Sequence, residues 1–124
     1  MYQKEVREVD KLYAQVIGVL FLAMGVLGFV VPSIGMIQFD TTHNLIHVVF
    51  GLAGLYVGYL DTGWVRDYVR VVGIGFLLFG LLGFITSEVG GIRLEPVENL
   101  MHITIGVLGL MTGYFVTPEL KHSR

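Results

Sequence analysis

His43, Asn44 and His47 lie close together in the first half of the chain, and Glu98, Asn99 and His102 repeat the arrangement in the second. The step from 43 to 47 equals the step from 98 to 102, and on a helix that step puts both side chains on one face, a turn apart. Three chemistries fit these residue types. A neutral imidazole has one donor and one acceptor and an amide offers both, so Asn44, His47, Asn99 and His102 can satisfy one another as a hydrogen-bonded clamp. His43, His47, Glu98 and His102 together offer three imidazoles and a carboxylate, a ligand set that zinc and other divalent transition metals accept. His47 and His102 are also candidate axial ligands of a tetrapyrrole, haem or chlorophyll. In that case Gly51, Gly54, Gly106 and Gly109 would leave bare backbone beside the macrocycle.

Other chemistry finds little support. Ser33, Ser87 and Ser123 have no recognisable base arrangement, and no phosphate-binding glycine loop is present. The expectation is therefore not an enzyme. Cysteine is absent, and at a net charge of -2 with no basic patch nucleic acid is not an expected partner. Gln15 is the one strongly polar group in the apolar stretches away from the histidines, whereas a small ion-coupled transporter should carry a carboxylate at mid-membrane.

The elements that carry these residues must be membrane helices. Hydrophobic residues make up 54% of the chain and charged ones 15%, against roughly 25% charged in soluble domains. No charge falls in 12–39, 41–60, 71–87 or 99–118. Each stretch approaches or exceeds the roughly 20 residues that a helix needs to cross a bilayer core. Lacking period-two alternation, they read as helices rather than barrel strands. A soluble bundle would need a polar face on every helix, and 19–31 is apolar or glycine all round. Residues 1–11 carry acidic groups and no small-x-small cleavage site follows the first run, so that run reads as a retained span rather than a signal peptide. The expected fold is a single all-α membrane domain over 1–124, with spans at about 12–31, 42–60, 69–87 and 98–116.

A shift of 55 residues aligns 11–60 with 66–115 without a gap. Tyr13/Tyr68, Phe21/Phe76, Asn44/Asn99 and His47/His102 match, as do glycines from Gly18/Gly73 to Gly58/Gly113. Each unit holds two spans, so the second unit starts on the same side as the first, and the four-helix bundle consists of two parallel-repeated hairpins. Lys4, Arg7, Lys11, Arg66, Arg70, Lys121 and Arg124 then share a side with both termini, and only Arg93 lies opposite. The positive-inside rule makes that side cytoplasmic. Tyr13, Tyr59, Trp64, Tyr68 and Tyr114 form an expected aromatic belt there. Residues 1–11 read either as a short interfacial helix or as a frayed tail.

Asn44, His47, Gly51, Gly54 and Gly58 fall on one helix face, and Asn99, His102, Gly106, Gly109 and Gly113 on another. Small residues let backbones approach, so these faces are expected to pack the two repeats together. The doubled signature Asn-Leu-x-His-x-x-x-Gly-x-x-Gly-Leu, at Asn44 and at Asn99, resembles a group of small bacterial four-span membrane proteins known as a domain of unknown function. The likeness covers roughly 12–116. It implies a multi-pass protein of the bacterial cytoplasmic membrane and no particular activity. The expected role is structural or interactive, with lipid, a larger membrane complex or a second copy as partners; the alternative is ligand binding at the histidine cluster.

Overall fold

The computed structural model of the chain describes residues 2–60 and 63–116. Among these residues four helices run in the order α1 (Tyr2–Val30), α2 (Thr41–Tyr59), α3 (Val65–Leu82) and α4 (Pro96–Leu110), and a π-helical turn at Met111–Phe115 ends α4. α1 absorbs most of the N-terminal segment without a break, which decides against both the separate interfacial helix and the frayed tail. α3 stops at Leu82, earlier than the expected span, because Phe84 and Ile85 donate back to Leu81 and Leu82 and tighten the last turn. α2 and α4 start at the equivalent residues Asp40 and Glu95, both in extended conformation, and Pro96 takes the first helical position, where its missing N–H costs nothing.

An all-α fold was expected, but each α-to-α connection within a repeat contains a β-hairpin. β1 (Ser33–Ile34) pairs with β2 (Ile37–Gln38), and β3 (Glu88–Val89) with β4 (Ile92–Arg93), both antiparallel. Gly35 and the pair Gly90 and Gly91 supply the positive φ that two-residue hairpin turns demand. The hairpins also join the repeats. The Arg93 amide donates to Asp40 Oδ2 at 2.7 Å, and the Arg93 guanidinium donates to Gln38 Oε1.

Contact is heaviest inside each repeat, α1 along α2 and α3 along α4. A Cβ on Gly51 would stand 2.5 Å from the Leu22 amide nitrogen, and one on Gly18 2.7 Å from that of Leu55. Gly73 would meet the Gly109 carbonyl carbon at 2.8 Å in the same manner. This corrects the expected packing. The glycine faces of α2 and α4 do not meet each other; they bring each helix against the one before it, where close backbone approach leaves no room for a methyl group.

The repeats join through α1 and α3, whose Ala14, Ile17, Phe21, Val65, Tyr68, Val69, Val72 and Phe76 form the buried core with Val57 of α2. The equivalent rings Phe21 and Phe76 touch, centroids 4.7 Å apart, as residues beside a twofold axis must. Two reciprocal hydrogen bonds obey the same symmetry. The Tyr13 hydroxyl donates to the Ile105 carbonyl at 2.8 Å, and the Tyr68 hydroxyl to the Phe50 carbonyl at 2.7 Å. Tyr13 and Tyr68 therefore face inward and do not belong to an aromatic belt, while Tyr59 and Trp64 are exposed. At the same end Arg66 and Arg70 both donate to the Gly113 carbonyl, supplying partners to the orphan carbonyls of the π-helical turn, and Arg66 stands 3.8 Å from the buried Asp10.

Candidate functional site

The sequence pattern places six polar residues near the starts of α2 and α4, and all six are buried: His43, Asn44, His47, Glu98, Asn99 and His102 are each at most 3% exposed. They separate into two functions. The asparagines lie within their own hairpins. A Cβ on Gly28 would run into the Asn44 side-chain amide, and one on Gly83 into that of Asn99. Each glycine is the space that its asparagine fills.

The histidines and Glu98 gather instead between the hairpins. His43 and Glu98 occupy equivalent repeat positions, and Nδ1 of His43 stands 3.6 Å from Oε1 of Glu98. The His43 ring centroid lies 4.1 Å from that of His47 and 5.5 Å from that of His102. One ligand atom from each of His43, His47 and His102 can be chosen so that all three fall within 4.8 Å of one another. Aromatic rings enclose the group: His47 stacks on Phe21 at 5.2 Å, and Phe76 and Phe79 lie 5.2 and 5.3 Å from His102.

The expected clamp is not what these positions form. Nε2 of His43, both ring nitrogens of His47, Nδ1 of His102 and the side-chain oxygens of Asn44, Asn99 and Glu98 meet no hydrogen-bonding partner. The tyrosine hydroxyls take the role of tying the repeats together. A macrocycle fares no better, because the glycines that would have given it room are filled by Leu22, Ala14, Leu77 and Gly73. Gln15, the remaining polar group, donates from Nε2 to the Gly58 carbonyl at 2.7 Å.

The aromatic wall was missed in the sequence, although Phe21 and Phe76 are matched in the repeat. Their signal was the match itself, since equivalent residues near a twofold axis are the ones that can touch. A model of the family described as "Domain of unknown function (DUF4383)" matches residues 32–115. The chain belongs to this family. The match takes in α2, α3, α4 and both β-hairpins, and so all six polar residues. No curated protein and no solved structure matches the chain. Among the described residues one helix, over Glu8–Val30, is long and apolar enough to cross a membrane.

Proposed function

We propose that this is a four-span protein of a bacterial cytoplasmic membrane that binds one divalent transition-metal ion between His43, His47 and His102. The observation that carries the metal is the convergence of three buried imidazoles, each with at least one ring nitrogen that has no protein partner. A buried polar atom left unpaired costs about 1–3 kcal/mol, so a cluster of them calls for a ligand. Bonds of about 2.0 Å in a tetrahedral site set ligand nitrogens roughly 3.3 Å apart, so the three rings would draw together from the present spacing as the ion binds. Glu98 is assigned behind His43 rather than on the ion. A carboxylate that closes from 3.6 Å to a hydrogen bond with Nδ1 would fix the ring and leave Nε2 for the ion, the usual support for a metal-bound histidine. Imidazole ligands suit zinc, copper and nickel, and three of them leave a fourth position for an exchangeable group.

The bilayer reading rests on the molecule's inverted polarity. Its polar groups are inside, while Leu12, Val19, Val26 and Phe29 of α1, Leu45, Val49 and Leu52 of α2, Ile74 and Leu78 of α3 and Leu100 and Leu108 of α4 are exposed. Exposed apolar surface on that scale belongs against lipid or protein. Lys11, Arg66 and Arg70 lie at one end and Arg93 at the other, which supports cytoplasmic termini. Lys121 and Arg124, counted with them in the sequence, lie outside the described residues, as do the side chains of Lys4 and Arg7.

Metal analysis of protein purified in detergent and incubated with zinc tests the site. The native chain should hold one ion, and His47→Gln and His102→Gln should each lose it while remaining folded. A native protein that takes up no stoichiometric zinc, copper or nickel overturns the reading.

A further inference from the structure

Asp40 and Glu95 are equivalent in the repeat, as are His43 and Glu98 one turn further on and His47 and His102 beyond them. Asp40, His43 and His47 follow at steps of three and four, which keeps them on one face of α2, and Glu95, Glu98 and His102 do the same on α4. Both rows start at a helix N-terminus, at the β-hairpin end of the bundle, and run inward. Their first members are partly exposed, and the others are at most 3% exposed. Asp40 and Glu95 stand at the N-caps, yet neither side chain bonds its own helix. The Asp40 carboxylate instead accepts from the Arg93 amide, two residues before Glu95, and this bond ties the two rows together at the mouth. Asp40 and Glu95 both lie close enough to Glu98 for their charge to act on it. Glu95 also lines an open polar hollow of about 580 Å³, together with Glu88 and Arg93. Glu98 is 2% exposed, and neither of its carboxylate oxygens meets a hydrogen-bonding partner.

We propose that the two rows are the entry route of the metal: a hydrated divalent cation is captured at Asp40 and Glu95 and drawn past Glu98 to His43, His47 and His102. The route rests on the metal reading above and adds to it the door through which the ion comes. A divalent ion leaves water only where charged ligands replace its shell, and neutral imidazoles alone offer it no charge. Partly exposed carboxylates at the mouth meet that need, because clefts lined by one sign of charge concentrate the opposite ion. Imidazole suits zinc, copper and nickel better than carboxylate does, so transfer runs inward. The N-termini of α2 and α4, about half a positive charge each, and the Arg93 guanidinium, held by Gln38, oppose a cation; the three carboxylates exceed them.

The chain has no cysteine, so a single introduced thiol can be given a chosen charge. Glu95→Cys, in the full chain purified in detergent, is treated to completion with a sulfonate, a methyl or a trimethylammonium methanethiosulfonate. These leave a negative, neutral or positive side chain and no free thiol. Stopped-flow mixing with a zinc-loaded fluorescent indicator reads the association rate, and the end point reads the zinc bound. The rate should fall by about tenfold or more from the sulfonate to the trimethylammonium form at low salt, and the gap should close at high salt. Asp40→Asn, which keeps an oxygen for the Arg93 amide, should slow uptake by about threefold or more. The same labels on Tyr59→Cys, exposed at the opposite end, should give equal rates. Stoichiometric zinc taken up at one rate by every Glu95→Cys form would overturn the route and leave the metal site standing, as would rates that follow the label at position 59 instead. Lower affinity at an unchanged association rate would make Glu95 a ligand of the ion and overturn its place at the entrance. A native chain whose end point shows no zinc overturns the site and the route together.

Discussion

His47 is 1% exposed, and neither of its ring nitrogens meets a hydrogen-bonding partner in the protein. Buried imidazoles are normally bonded at one nitrogen or both, so this ring is the most sensitive reporter of the cluster. Only neutral imidazole coordinates, and protons therefore compete with the ion as the solution is acidified. Zinc affinity measured by competition with a chromogenic chelator should fall as the solution is acidified. Affinity that does not fall at any acidity would exclude His43, His47 and His102 as the ligands. Glu98→Gln should leave all three imidazoles in place and lower affinity about 10- to 100-fold, the usual cost of losing an orienting partner. Abolished binding would instead make Glu98 a direct ligand. The residue types in this cluster were legible in the sequence, but their division of labour was not. Helical spacing put Asn44 and His47 on a common face. It could not say that the amide would settle on Gly28 of its own hairpin while the imidazole turned toward the other hairpin.

Between elements, the decisive contacts are backbone against backbone. A methyl group at Gly51 or Gly106 meets the main chain of Leu22 or Leu77, which no rotamer change can relieve. Gly51→Ala and Gly106→Ala should each cost about 1–3 kcal/mol through overpacking, read as a lower melting temperature in detergent, whereas Gly75→Ala, whose added methyl group would meet nothing within 4 Å, should melt as the native protein does. If all three variants melt alike, the hairpin interfaces are misplaced. Tyr13→Phe and Tyr68→Phe each remove one of two equivalent hydrogen bonds and should destabilise by about 0.6–1.5 kcal/mol, by similar amounts. Helix number, order and approximate bounds could be read from charge-free runs and the repeat. The partner of each glycine face could not, since periodicity defines a face without saying what lies opposite. The two β-hairpins were readable in principle: Gly90 and Gly91 sit between Val89 and Ile92, a local turn signal overshadowed by the hydropathy of the flanking runs.

For the molecule as a whole, the two hairpins start from the same end, and that predicts an even number of crossings. A fusion of alkaline phosphatase to Arg124 should be inactive in bacteria and a fusion of a cytoplasmic reporter active; the reverse pattern would invert the orientation. Covalent joining of the hairpins has one more effect. A dimer of separate, identical hairpins can only place like against like beside its axis, as Phe21 still meets Phe76. Histidine would then face histidine, or glutamate glutamate. Once both copies share a chain, each can drift independently, and the first and second halves can set an acid against a base, as His43 and Glu98 do. The unlike pair at the centre is thus a chemical asymmetry that single-chain fusion permits and free self-association forbids.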